Sequence, residues 1–247
     1  MSIWTINWTA VAGFFVLGLL VGSFLNVLIW RIPRGESIVY PRSYCPKCGT
    51  SLSPINLIPV VSYIIQNGRC SKCHSAISWL YPVVELLTGV LFSIGAAVFG
   101  IEQILIPYLV LVSYLLVLSL VDLEHKILPD VLTLSGLVLG LIFSLLGWTI
   151  PFVQSAAGAV IGGGVLLLVA ILSRGGMGMG DVKLMLMIGA FTGWQGSLTT
   201  LFVGSLLGVV IGGLYLLITK KGRRTPIPFG PFLAVGAVFT TVYLYLF

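Results

Sequence analysis

WTAVAGFFVLGLLVGSFLNVLIW, residues 8–30, runs for twenty-three residues without one Asp, Glu, Lys or Arg. About 20 apolar residues in helical form cross the hydrocarbon core of a bilayer. The stretch therefore reads as a membrane-spanning helix. It is too long for a cleaved signal peptide, and Met1–Trp8 carries no positive charge ahead of it. Similar runs follow, and we place spans at 8–30, 80–99, 102–121, 128–147, 152–173, 181–195, 197–218 and 229–247. The sixth has the weakest signal, because its apolar part, 182–194, is short and contains Lys183.

The composition agrees. Of 247 residues, 58% are hydrophobic and 8% charged, and the mean hydropathy is +1.12. A soluble domain carries about 25% charged residues, so a soluble enzyme, a disordered chain and a secreted disulfide scaffold are excluded. Long apolar runs favour helices over the alternating segments of a barrel. The expected fold class is an all-α integral membrane protein with about eight transmembrane helices. A small cytoplasmic domain lies between the first and second. The domain reading is a first transmembrane helix at 1–30, a four-cysteine loop domain at 31–79, and a transmembrane core at 80–247.

The net charge is +6 and the pI about 9.3. In this composition the excess reads as a membrane protein's cytoplasmic rim, not a nucleic-acid surface. With eight spans and the N-terminus outside, all thirteen Lys and Arg fall on or near one side. Both termini and the turns near 100, 149 and 195 lie on the other, where Glu102 is the charged residue. Omitting the sixth span would move either Arg174 with Lys183, or the Lys220–Arg224 cluster, to the outside.

Residues 31–79 form the longest connection between spans and hold all four cysteines: Cys45-Pro-Lys-Cys48, then Cys70-Ser-Lys-Cys73. Two C-x-x-C knuckles suit a tetrahedral zinc site with four thiolate ligands. Gly49 and Gly68 fit the tight turns that knuckles require. Two disulfides and free thiols are the competing readings, the disulfides disfavoured on a reducing cytoplasmic side. Four thiolates leave zinc no open position, so the expected role is structural. His74 reads as a surface residue.

Seven acidic residues exist, and each one at a membrane boundary needs a reason. Asp122 ends the third span and Asp181 opens the sixth, both at the cytoplasmic boundary. If they meet, they cannot both ionise cheaply and will share a proton. One carboxylate can then take a proton from water while the other stabilises the developing oxyanion. The competing reading makes Asp122 a helix-end group or a partner of Lys126, and Asp181 an N-cap or first-turn residue. Asp130, after Pro129, reads as a helix start, and Glu124 and His125 as solvated. Glu85 is expected to face the bundle interior or a cytoplasmic cavity, and a proton pathway through these carboxylates is a rival function. Asn26 and Arg31 each admit two readings: a contact to cofactor or substrate, or an interhelical hydrogen bond and a phosphate-level anchor respectively.

Six ordered motifs resemble those of type IV prepilin peptidases, the bacterial membrane aspartic proteases. They are Gly22–Pro33, Pro41–Cys48 with the second knuckle, Tyr81–Leu86, Asp122–Asp130, Gly178-Met-Gly-Asp181-Val-Lys183, and Pro226–Ala234. The resemblance implies an enzyme of the bacterial inner (cytoplasmic) membrane with its active site facing the cytoplasm. Its substrates would be type IV prepilins or pseudopilins. It implies Asp122 and Asp181 as the catalytic pair, and Cys45, Cys48, Cys70 and Cys73 as zinc ligands. It also implies N-methylation of the new terminus with S-adenosylmethionine, although no nucleotide-binding glycine motif is visible. A peptidase without methyl transfer, a proton-coupled transporter and a zinc-loop scaffold are the alternatives. A glycine-rich gate at 174–180 is expected beside Asp181.

Overall fold

A computed structural model describes residues 6–173, 177–219 and 227–246. Among these residues the regular structure is helical, and the only β pairings are two isolated bridges in the cysteine loop. Helix α1 is Trp8–Arg31, α2 Val61–Ile65, α3 Leu80–Phe99, α4 Leu105–His125 and α5 Asp130–Leu145. Helices α6 Phe152–Leu172, α7 Met179–Leu207, α8 Gly213–Thr219 and α9 Gly230–Leu246 complete the chain. The all-α membrane class is borne out. Five helical stretches are long and apolar enough to cross a membrane: Trp8–Arg34, Leu80–Phe99, Leu105–His125, Phe152–Leu172 and Met179–Thr219. Asp130–Leu145 and Gly230–Leu246 are apolar but shorter.

The stretch Met179–Thr219 is 41 residues long, where the sequence suggests two spans. It bends at Gly193, whose φ of 73° and ψ of −177° are not helical. Met185 and Ser197 both reach the space beside Gly162. In a straight helix they would stand about 18 Å apart, too far for both to do so. The bend falls at the boundary between the spans read at 181–195 and 197–218. A side chain at residue 193 would be strained by the positive φ, so glycine is required there.

The chain divides into two compact units, Met1–Leu105 and Ile106–Phe247. In the first, α1 packs along α3, and Asn26 Nδ2 donates to the Tyr81 carbonyl at 3.1 Å. Asn26 is thus an interhelical hydrogen bond. In the second, α5, α6 and α9 surround α7. The α6–α7 contact is backbone against backbone. A Cβ on Gly158 would come within 2.4 Å of the Gly189 carbonyl oxygen and of Gly193. In a membrane, lipid removes the hydrophobic gain from helix association, so close packing and interhelical hydrogen bonds must supply it. Ser155 donates to the Ala190 carbonyl at 2.6 Å and Ser197 to the Gly158 carbonyl at 2.8 Å.

Of the expected gate, Arg174, Gly175 and Gly176 lie outside the described residues, as does the Lys220–Arg224 cluster. Gly178 is the N-cap of α7, and Met179 and Gly180 are already helical.

Gly158→Ala forces a methyl group into a backbone contact and should destabilise the second unit by about 1–3 kcal/mol. Gly164→Ala lies on the same helix with nothing within 4 Å of the added carbon, and should be neutral. Thermal unfolding of both variants in detergent checks the difference.

Candidate active site and metal centre

Asp122 lies in the last turn of α4 and is 6% exposed. Its Oδ2 accepts the Gly230 backbone N–H at 3.0 Å, from the first residue of α9. A Cβ on Gly230 would stand 2.7 Å from that oxygen, so the approach requires glycine. Asp181 is half-buried in the first turn of α7, as one reading of the sequence had it. The charge of Asp122 acts on Asp181, so the fold brings the two carboxylates within electrostatic reach.

The segment after α4 helps to hold α7 in place. Leu128 lies against Gly180, and Lys183 Nζ donates to both oxygens of Asp130 at 2.7 Å. Asp130 opens α5 behind Pro129, as its sequence context indicates. Its ion pair is partly exposed and is worth at most about 1 kcal/mol. Asp122 makes its hydrogen bond to Gly230 and no ion pair with Lys126 among the described residues. Glu124 is exposed as expected, but His125 Nε2 is shielded from solvent without a hydrogen-bond partner, 3.9 Å from Glu124.

The four cysteines converge. Their sulfurs all lie within 4.8 Å of one another, with Cys45 and Cys73 3.9 Å apart. Four thiolates about 2.3 Å from a zinc ion have sulfurs about 3.8 Å apart, so this cluster could bind a metal ion. Each knuckle is closed the same way. Cys45 N–H donates to the Thr50 carbonyl and Gly49 N–H to that of Cys45. Cys70 N–H donates to Ser75 and His74 N–H to Cys70. Bridges Tyr44–Ser51 and Arg69–Ala76 seal the two loops. Gly49 has φ 69° and His74 φ 56°, so His74 fills the left-handed position that glycine fills in the first knuckle. His74 is exposed, as the sequence indicates, and its spacing after Cys73 repeats that of Gly49 after Cys48. Gly68 turns the chain before the second knuckle rather than within it. Backbone N–H groups of Cys48 and Lys47 pull the Cys45 thiol down to about 6. The Ser75 hydroxyl, 3.2 Å from Cys73, lowers that thiol too.

Glu85 is 7% exposed and lines a cavity of about 350 Å³ between the α1 and α3 ends and the cysteine loop. Its Oε2 accepts the Val60 N–H at 2.7 Å. Val60 has φ 61°, a strained conformation for a β-branched residue, and Glu85 pins it. Arg31 is not a phosphate-level anchor. The residue is 5% exposed, and its guanidinium donates to the carbonyls of Ser37 and Pro41 at 2.7 Å and of Arg42 at 3.5 Å. It ties the loop to the end of α1. A local arginine–carbonyl cluster of this kind leaves no spacing signature in sequence.

Cys45→Ser should reduce bound metal from about one ion per chain to substoichiometric levels, as the metal's binding energy contributes to folding. Elemental analysis of the purified protein measures this. Full retention of metal would dismiss the four-thiolate site.

Two family models match the chain. Residues 16–99 match the bacterial peptidase A24 N-terminal domain, and residues 109–213 the type IV leader peptidase family. A Pseudomonas aeruginosa protein named prepilin leader peptidase/N-methyltransferase is 39% identical, covering 90% of this chain and 86% of the relative. Relatives of the same name come from Bacillus subtilis (34% identical, 93% and 92% covered) and Neisseria gonorrhoeae (37%, 90% and 86%). No solved structure matches. With both halves matched and such relatives spanning most of its length, the chain belongs to the type IV leader peptidase family, with the bacterial N-terminal domain ahead of the peptidase domain.

Proposed function

We propose that this chain is a membrane enzyme that removes the leader of type IV prepilins or pseudopilins and methylates the new N-terminus. Asp122 and Asp181 are its catalytic pair. The observation that carries the cleavage reading is the buried Asp122 within electrostatic reach of Asp181, in the part of the chain matched by the peptidase family. The Gly230 N–H occupies one oxygen of Asp122 and fixes its orientation. One carboxylate of the pair accepts a proton from water, which attacks the scissile carbonyl. The other, protonated, hydrogen-bonds the carbonyl oxygen and stabilises the charge that develops there. Proton return to the leaving amine completes hydrolysis without a covalent intermediate. Lys183 and Asp130 hold the first turn of α7, and Asp181 with it, against the segment that follows Asp122.

The charge distribution supports eight spans with both termini outside and the active site facing the cytoplasm of a bacterial inner membrane. Residues 31–79 then form a cytoplasmic domain in which Cys45, Cys48, Cys70 and Cys73 hold a structural zinc ion. The names of the relatives carry the methyl-transfer reading. S-adenosylmethionine, when bound, supplies the electrophilic methyl group. The alternative of a transporter has no supporting observation.

Asp122→Asn and Asp181→Asn keep side-chain shape and remove the exchangeable proton. Each should lower the rate of leader cleavage in membranes by about 10²–10⁴-fold at equal protein level. If either variant still cuts at the wild-type rate, that aspartate is structural.

A further inference from the structure

The cavity beside Glu85 lies wholly in the first unit, and the cleavage mechanism makes no use of it. It is lined by residues between Ser23 and Glu85, within the segment matched by the N-terminal domain. Its volume, about 350 Å³, falls in the range of pockets that bury a small-molecule ligand. A buried acidic side chain forms part of its wall. Glu85 accepts the Val60 N–H, and Ser23 lines the cavity with it; both groups are neutral. A carboxylate has about four lone-pair positions, so capacity remains. No ion pair to Glu85 exists among the described residues. Of the cations lining the cavity, Arg31 is committed to backbone carbonyls and Lys47 is exposed. A buried carboxylate without a counter-charge is costly. A ligand that brings a positive charge would offset that cost. The rings of Tyr63 and Tyr81 line the same cavity, and aromatic faces favour onium cations.

We infer that this cavity is the site of the methyl donor, S-adenosylmethionine, with Glu85 as the counter-charge to its sulfonium. The inference rests on the methyl-transfer reading above and assigns that chemistry its place in the chain. It explains why a carboxylate is kept in an otherwise apolar stretch, Tyr81-Pro-Val-Val-Glu85-Leu. Strapping Val60 does not by itself require a charge, since a neutral amide oxygen accepts the same bond.

The test is calorimetric titration of the full-length, metal-loaded protein in detergent. The probes are S-adenosylmethionine and S-adenosylhomocysteine, whose sulfur is neutral. Glu85→Gln keeps an acceptor for Val60 and should weaken S-adenosylmethionine by about 30-fold or more, and S-adenosylhomocysteine far less. Ser62→Trp fills the cavity without touching the hydrogen bonds of Glu85 and should abolish binding of both. Unchanged metal content and unfolding midpoint show that each variant is folded. If Glu85→Gln does not fold, Ser62→Trp and the preference of the wild type for the sulfonium over the neutral sulfur decide. Equal affinities in wild type and both variants would put the donor elsewhere and overturn the site while leaving methyl transfer standing. A wild type that binds neither probe and yields no methylated pilin would overturn the methyl-transfer reading itself. Binding of a mature pilin N-terminal peptide in place of S-adenosylmethionine, lost in Glu85→Gln, would assign the cavity to the acceptor amine and also overturn the inference.

Discussion

A carboxylate held 6% exposed at the end of an apolar helix needs partners, and Asp122 finds one neutral donor, the Gly230 N–H, and one like charge, Asp181. Lys183, two residues after Asp181, is taken up by Asp130. Among the described residues neither aspartate has an ion pair. Much of the packing serves the placement of these two acids. Leu128 on Gly180 and Lys183 on Asp130 seat the first turn of α7, and the Gly158–Gly189 contact locks α7 along α6. The Gly193 bend lets the limb carrying Asp181 end where the next begins. In lipid, where burying apolar surface gains little, such contacts must carry the association of the helices.

The first unit solves a different problem. The loop at 31–79 buries Cys45 and Cys70 but leaves Val39, Ile55, Ile64 and Ile65 exposed, so its apolar side chains build little of a core of their own. Four converging cysteines, two matched knuckles and the Arg31 guanidinium on three carbonyls replace one. Glu85 completes the arrangement by pinning Val60, and it leaves a cavity with an acidic wall.

How much of this was legible depended on whether the signal was local. The membrane class and the cysteine pairs rest on composition, run length and spacing, and the structure returns both. Of the eight spans read, the sixth and seventh run on as one bent stretch, Met179–Thr219, and those at 128–147 and 229–247 are the shorter helices Asp130–Leu145 and Gly230–Leu246. Asp130 as a helix start followed from the Pro129 in front of it. The bend at Gly193 was visible only indirectly, through the charge balance that required a short sixth span. A lone glycine in an apolar run looks the same whether it packs or turns. The Gly230 N–H on Asp122 joins residues 108 apart, and no periodicity announces such a bond. Arg31 admitted two readings, a cofactor or substrate contact and a phosphate-level anchor, because a basic residue at a helix end suits either. Its burial by the loop that follows could not be seen without the loop's path. His74 hid because glycine is the expected residue at a positive φ.

The most direct measurement is a double-mutant cycle on leader cleavage with Asp122→Asn, Asp181→Asn and the pair together. Two groups that handle one proton act as a unit, so removing either should cost about as much as removing both. The predicted result is one residual rate shared by all three variants. Losses that multiply in the double variant would mean that the two aspartates act independently, and would contradict a shared catalytic pair.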